Sequence, residues 1–220
     1  MFFAPESLTD SSGRRIMWAW ILDYRDFSDR AKDQWSGTLS LPRVLTLNKN
    51  GSLDIDVVAE VEKLRYQPFS LPPFVVQADS DARIDGTFGN SFELIIEFDE
   101  SDAQEFGVKV CVSEDEAEYT VISYDKNAEL LKVDTTNSGP EKSPKSIESA
   151  PLVLSKREKL TLRIFVDKSV IEIFANSRQA IARRIFPEKT DSTSVKVFTK
   201  GSNVEVTKFK SWQIAPSNPY

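Results

Sequence analysis

Arg163-Ile164-Phe165-Val166-Asp167-Lys168-Ser169-Val170-Ile171-Glu172-Ile173-Phe174 is two apolar, β-branched runs joined by a tight-turn sequence. Period-two patterning broken by Asp-Lys-Ser predicts a hairpin of two strands, Lys159–Asp167 and Val170–Ala175. The same rhythm recurs on both sides of it. Strands are predicted at Arg15–Ile21, Thr38–Leu47, around Leu53–Ile55, and at Ser91–Phe98, Phe106–Ser113, Glu118–Asp125 and Leu130–Asp134. Three more follow the hairpin, at Gln179–Phe186, Ser194–Lys200 and Val204–Trp212. Asn48-Lys49-Asn50-Gly51 is a hairpin turn. Val57, Val61 and Leu64 share one helical face and predict a short helix over Val57–Arg65. Many short, evenly spaced strands describe an all-β chain, an antiparallel sandwich of two sheets. Phe92, Leu94, Ile96 and Phe98 form an inward face that the sheets would bury. Thr135–Ala150 is polar, holds two prolines and reads as a long surface loop. Pro68, Pro72 and Pro73 punctuate a linker-like stretch at Gln67–Pro73.

Composition narrows the chemistry. The chain has 220 residues and a formal charge of −6, which disfavours a nucleic-acid partner. With 14 Phe, 5 Tyr and 4 Trp it is too apolar for disorder. It contains no histidine, so Ser-His-Asp and Cys-His catalysis and His-dependent metal sites are excluded. The single cysteine, Cys111, lies in the apolar run Val108–Val112 and reads as a buried, inert thiol. The 8 glycines form no phosphate-binding loop. No cofactor and no metal site are expected. No apolar run is long enough to span a bilayer as a helix. The opening Met1-Phe2-Phe3-Ala4-Pro5-Glu6 is not a signal peptide, which gives a cytoplasmic expectation for the chain as written. What is left for catalysis is carboxylate chemistry, or none in this chain.

Three stretches carry a family resemblance. Phe3-Ala4-Pro5-Glu6-Ser7-Leu8 followed by Gly13-Arg14-Arg15-Ile16-Met17-Trp18-Ala19-Trp20-Ile21 resembles a strand in the last propeller blade of glycoside hydrolase family 32, the invertases, levanases and inulinases. Gln34-Trp35-Ser36-Gly37-Thr38-Leu39-Ser40-Leu41-Pro42-Arg43 is similar to the segment closing that propeller, and Glu60–Arg65 to the segment leading out of it. Arg163–Phe174 with Arg183-Arg184-Ile185-Phe186-Pro187 is similar to a hairpin of the family's C-terminal sandwich. The resemblance implies a partial last blade at 1–47, a linker with a short helix at 48–73 and the sandwich at 74–220. It also implies a β-fructosidase, cleaving terminal fructosyl linkages of sucrose, levan or inulin in the complete enzyme. The family's three catalytic motifs are missing. Asp23, Asp26 and Asp29 lack the Asn-Pro-Asn surroundings of the nucleophile, Arg25-Asp26 is followed by Phe27 rather than Pro, and Val110 rather than Glu precedes Cys111. No catalytic residue is therefore assigned, and the chain alone is expected to be inactive.

Several side chains merit separate readings. Trp18 and Trp20 alternate with Met17, Ala19 and Ile21, so they share one strand face. The resemblance places that face near the sugar pocket, which makes Trp18 and Trp20 the candidate substrate-binding pair; blade packing is the competing reading. Trp35 reads as propeller-closing packing. Glu172 reads as an exposed strand residue paired across the sheet with Arg183 or Lys168. Arg183 and Arg184 are expected to flank the sandwich face. Asn50-Gly51-Ser52 is a glycosylation pattern that reads first as a turn. Three functions remain: the C-terminal part of a β-fructosidase, structural by itself; a lectin-like carbohydrate-binding module; or a sandwich that mediates oligomerisation. The corresponding partners are a fructose-containing saccharide in the complete enzyme, the missing propeller, or a second copy of the chain. The first predicts unpaired strand edges on Arg15–Ile21 and Thr38–Leu47. Met1–Leu47 carries more apolar surface than its few strands can hide, so it must fold onto its own sandwich or self-associate.

Overall fold

The computed structural model describes residues 2–33 and 35–217. Three antiparallel sheets account for nearly all of them. The N-terminal sheet contains β1 (Phe2–Thr9), β2 (Arg15–Ile21), β3 (Thr38–Leu39), β4 (Arg43–Leu47) and β5 (Leu53–Val57), in the order β1-β2-β4-β5 with β3 also on β2. A short helix, α1 (Phe27–Asp33), fills the β2–β3 connection, and a 3-10 turn (Ala59–Leu64) leads out of β5.

The sandwich follows. Its seven-stranded sheet runs β16-β15-β14-β9-β18-β6, with β7 also on β18; these are β6 (Arg65–Leu71), β7 (Phe74–Val76), β9 (Ser91–Phe98), β14 (Leu160–Asp167), β15 (Val170–Ala175), β16 (Gln179–Arg184) and β18 (Val204–Ile214). Its six-stranded sheet comprises β8 (Ser80–Phe88), β10 (Glu105–Val112), β11 (Thr120–Asp125), β12 (Leu130–Asp134), β13 (Ile147–Pro151) and β17 (Ser194–Lys200), ordered β13-β12-β11-β10-β17-β8.

The alternation finds its core between these two sheets. Phe92, Leu94, Ile96 and Phe98 are fully buried, beside Leu162, Ile164 and Val166 of the same sheet and in one core with Val108, Ile122 and Val197 of the other. Cys111 belongs to the same core. Burial pushes its thiol up to about 12, which leaves no thiolate to act as a nucleophile.

Where patterning was weak, the strand reading was incomplete. β8 is polar along most of its length and buries only Ile84 and Thr87. It is an edge strand held by its pairing with β17, with Ile84 as its one buried hydrophobic side chain. β6, inside the stretch read as linker, pairs with β18 from Phe209–Leu71 to Ile214–Arg65 despite Pro68, a residue an edge strand tolerates. β13 lies partly in the stretch read as loop and pairs with β12. The stretch Thr38–Leu47 is split at Ser40–Pro42 into β3 and β4. The helix read over Val57–Arg65 is a 3-10 turn with Val61 buried. At 50–52 the Asn50 side chain accepts the Ser52 N–H at 3.0 Å, which closes the predicted turn.

Gly107 marks the tightest point of the six-stranded sheet. A Cβ there would lie 2.1 Å from the Ile122 carbonyl oxygen and 2.8 Å from the Ser123 Cα, both backbone atoms that cannot swing away. Gly107→Ala is expected to cost about 1–3 kcal/mol through overpacking, read as a lower urea midpoint at unchanged m-value.

On the outer face of the same sheet the carboxylates are held in ionised form. Burial alone would raise the Glu105 carboxyl, but hydrogen bonds from Lys200, Ser123 and Lys132 outweigh it and hold it at about 2. Asp81, under Lys109 and Lys196, is lowered for the same reason. A lowered folded-state pKa contributes stability that is present above the ordinary carboxylate range and lost as pH falls through the folded value. The thermal midpoint should therefore be flat near neutrality and fall between about pH 4.5 and 2, less steeply in Glu105→Gln.

Candidate functional site at the sheet–sandwich seam

The outer face of the seven-stranded sheet is covered by the N-terminal sheet, and this contact is the most specialised part of the molecule. Phe165 and Phe174 project outward from β14 and β15 and meet edge to face, their centroids 6.2 Å apart. Ile16, Val57, Val58 and Val61 bury against them, with Trp18, Leu41, Val44 and Ile55 partly buried around the rim. At roughly 1.5–3 kcal/mol for each large apolar side chain removed from water, this second core is a substantial attachment. Of the two fates expected for the N-terminal segment, the structure shows the first: it folds onto its own sandwich. Backbone bonding adds to it, with Ile55 N–H donating to the Ser177 carbonyl at 2.6 Å.

Charge crosses the seam in three places. Glu172 is the first. The register sets it opposite Phe165 and Ala182, not Arg183, and it is buried rather than exposed. Its Oε2 accepts from Arg43 Nη2 at 2.6 Å and its Oε1 from the Leu41 N–H at 2.6 Å, so its cationic partner comes from the N-terminal sheet, 129 residues away. Burial pushes its carboxyl up, against the pull of Arg43 and the Leu41 N–H. Alternation had told which face Glu172 occupies; it cannot tell that another sheet covers that face.

Glu93 is the second, and sequence reading passed over it. Fully buried on β9, it takes a two-pronged grip from Arg65, Nε to Oε2 at 2.7 Å and Nη2 to Oε1 at 2.6 Å, and a third bond from Arg163 Nε at 2.7 Å. Arg163 reaches on to Asp56 of β5 and Glu62 of the 3-10 turn, and Arg65 lies 4.1 Å over the Trp212 ring. The available signal was a lone carboxylate in the apolar run Phe92–Phe98.

Asp23 is the third. Arg25 forks onto its carboxylate, with Nη2 at 2.7 Å, and Arg184 approaches to 4.0 Å. Arg184 is buried, not on the flank of the sandwich, and stacks over Trp35 at 4.8 Å; Arg183 is buried too and donates to Glu148 of β13. Trp35 is thus a half-exposed lid on an arginine.

The two candidate tryptophans share the face that alternation assigned them, but they part company along it. Trp18 sinks into the seam beside Ile16. Trp20 is 40% exposed, meets Phe3 edge on at 6.3 Å and rests on Gly37, whose missing Cβ would lie 1.9 Å from the indole Nε1. Phe3, Tyr24, Phe27 and Leu39 are also exposed at this end of the sheet. β2 and β4 are each paired on both sides, against the expectation of unpaired edges there; the sheet ends at β1 on one side and at β5 on the other, with the two-residue β3 joined to β2 beside β4. A cleft of about 400 Å³ opens beside the seam, floored by Phe2, Met17, Ile55 and Ile181 and flanked by Arg43 and Glu148. Chemically the seam offers buried ion pairs, which hold a geometry, and a partly exposed aromatic edge, which can stack against a sugar ring or another protein surface. Among the described residues no group of three or more Asp, Glu, Cys or His side chains is placed to hold a metal ion.

Comparison with known proteins accounts for this architecture. Residues 32–213 match the family model for the C-terminal domain of the family 32 glycosyl hydrolases, and residues 1–55 match the model for its N-terminal domain. The chain belongs to glycoside hydrolase family 32. Sucrose-6-phosphate hydrolase of Zymomonas mobilis is 29% identical over 99% of the chain, and that of Staphylococcus xylosus 32% identical over 90%. The chain spans only 42% and 39% of those two relatives. Fructan 1-exohydrolase IIa of Cichorium intybus shares the fold over 99% of this chain and 48% of its own, with a TM-score of 0.91 at 22% identity; the same enzyme is also known in complex with 1-kestose.

Proposed function

We propose that this chain is the C-terminal portion of a β-fructosidase, supplying the last propeller blade and the sandwich that braces it. The activity of the whole would be hydrolysis of a terminal fructosyl linkage in a fructose-containing saccharide, with sucrose, phosphorylated sucrose, levan and inulin as the candidates. Its two catalytic carboxylates would come from a propeller that precedes these residues, since none of the family's three carboxylate motifs occurs here and retaining hydrolysis needs two carboxyls about 5–5.5 Å apart across one sugar.

The observation that carries this reading is asymmetry of the N-terminal sheet. One face is bound to the sandwich through Phe165, Phe174 and the Arg43–Glu172 pair, while β1 leaves a bare edge beside exposed Phe3 and Trp20. A blade with one finished side and one unfinished side suits a propeller's final position. In this reading the blade ends near Val57 and the sandwich begins near Arg65, where β6 enters it, with the 3-10 turn between. Trp20 is the outward-facing member of the tryptophan pair and the one that would line the sugar site; Trp18 supports it from the seam.

The test is complementation. The chain alone should release reducing sugar from sucrose, inulin and levan at buffer background. Mixed with a separately produced family 32 propeller lacking these strands, it should restore turnover, and Trp20→Ala should weaken that restored activity more than Trp35→Ala. Turnover by the chain alone that vanishes on one carboxylate substitution would overturn the proposal.

A further inference from the structure

A second cleft, of about 600 Å³, lies where α1 and its approach meet the loops of the sandwich. In a chain with a formal charge of −6, its lining is inverted: Arg25, Lys32, Lys142, Lys168 and Lys189 all contribute to it. Only two carboxylates, Asp29 and Glu188, line it with them. Three of the cations are engaged, Arg25 with Asp23, Lys32 with Asp29 at 3.0 Å and Lys189 with Asp115. Lys142 and Lys168 are exposed and form no salt bridge among the described residues.

The backbone that mounts these two lysines is braced. Lys168 sits at the tip of the β14–β15 hairpin, where its N–H donates to the Asn90 carbonyl and the neighbouring Ser169 carbonyl accepts the Ile185 N–H at 2.9 Å. Lys142 rides on a loop that Lys145 pins from inside, its ammonium donating to the Ser138 and Gly139 carbonyls at 2.7 and 2.8 Å. Gly139 in turn packs so closely on Phe186 that a Cβ would lie 2.0 Å from its carbonyl oxygen. Two ammonium groups on braced loops, neither held in a salt bridge, face one cleft and form a site for an anion. The Asp29 carboxyl, lowered first by its hydrogen bond from Lys32, is lowered further by Lys142 nearby.

The cleft is too large for a bare phosphate, and the rest of its wall carries hydroxyl and amide groups from Asn90, Ser169, Thr190 and Thr193. Phe186, the aromatic ring in its wall, is unsuited to stacking on a base, being already covered by Arg25 at 4.6 Å and Arg184 at 5.2 Å. We propose that this cleft binds a sugar phosphate, with the phosphoryl group on Lys142 and Lys168 and the sugar hydroxyls on Ser169, Asn90 and Thr193. The assignment stands on the cleft alone and does not depend on the fructosidase reading.

Calorimetric titration of the full chain with fructose 6-phosphate, inorganic phosphate and fructose, at low ionic strength, tests it. Fructose 6-phosphate should bind, with affinity falling as salt screens the lysines. The Lys142→Glu/Lys168→Glu double variant should weaken binding by about tenfold or more, and Lys168→Gln alone by less. Circular dichroism checks that these exposed substitutions leave the fold intact. Inorganic phosphate binding as tightly as the ester would overturn the assignment to a sugar, and fructose binding as tightly would overturn the role of the phosphoryl group. Absence of binding, or binding unchanged in the double variant, would overturn the site itself.

Discussion

Glu172→Ala should lower the stability of the protein by about 3–5 kcal/mol, the cost of breaking a buried ion pair by removing one partner. Arg43 would be left with its guanidinium buried, held only by the faces of Phe2 at 4.2 Å and Phe174 at 5.2 Å. The Leu41 N–H would lose its acceptor in the same step. Arg43→Ala should cost a similar amount, and the two together distinctly less than their sum, because each single change strands the other's partner. Glu172→Gln is the informative control. It keeps an oxygen for the Leu41 N–H but leaves Arg43 without its anion, and burial already pushes the Glu172 carboxyl up. A raised folded-state pKa contributes stability that is fully present below the ordinary glutamate value and lost as pH rises through the raised one. Glu172→Gln should therefore be less stable than the parent protein, by less than Glu172→Ala, with the gap narrowing as pH rises from about 4 towards about 8. The readout is built in: Trp18, Trp20 and Trp35 all belong to the N-terminal segment. If the pair holds the seam, tryptophan emission in Glu172→Ala will shift to the red at lower urea than the far-ultraviolet strand signal disappears. Coincident transitions at the parent midpoint would show that the apolar contacts alone suffice.

What could be read from the residues follows what each physical signal encodes. Two-residue alternation reports which face a side chain occupies, so Phe92, Leu94, Ile96 and Phe98 are in the core as expected. It is silent on what covers the opposite face. Glu172 and Glu93 both stand on that opposite face; Leu41 and Arg43 of the N-terminal segment reach Glu172, and the arginines Arg65 and Arg163 close over Glu93. Edge strands escaped for a related reason. β6, β8 and β13 bury too few side chains to impress a period on the sequence, and are held by backbone bonding to a neighbour that was itself easy to read. The tryptophan pair shows the same limit within one strand: Trp18 and Trp20 share a face, but the sandwich ends between them. Long-range charge pairing was the least legible property, since Arg43–Glu172 and Arg65–Glu93 span 129 and 28 residues and no local pattern links their members.

Glu93→Ala should be at least as damaging as Glu172→Ala, because one fully buried carboxylate serves two guanidinium groups. Its loss would leave Arg65 with only Glu62 at 3.0 Å, and Arg163 with the longer contacts to Asp56 at 3.5 Å and Glu62 at 3.4 Å. The expected cost lies at the upper end of about 3–5 kcal/mol, since two partners are stranded rather than one. Glu93→Gln should recover only part of it: an amide has one acceptor oxygen for three donors and presents its own N–H groups to a guanidinium. At Glu172 the amide still serves the Leu41 N–H and strands one guanidinium rather than two. The consequences should also differ in place. Arg65 opens β6 and lies over Trp212, while Arg163 ties β14 to β5 and the 3-10 turn, so the joint between the N-terminal sheet and the sandwich loosens at its hinge. The near-ultraviolet dichroism of Trp212 and hydrogen exchange of the 59–71 backbone report on that hinge directly. Both should change in Glu93→Ala below the global midpoint, while the β9–β14 pairing stays protected. A variant with parental exchange at 59–71 would show that the Glu93 network is dispensable and that Val57, Val58 and Val61 hold the hinge without it.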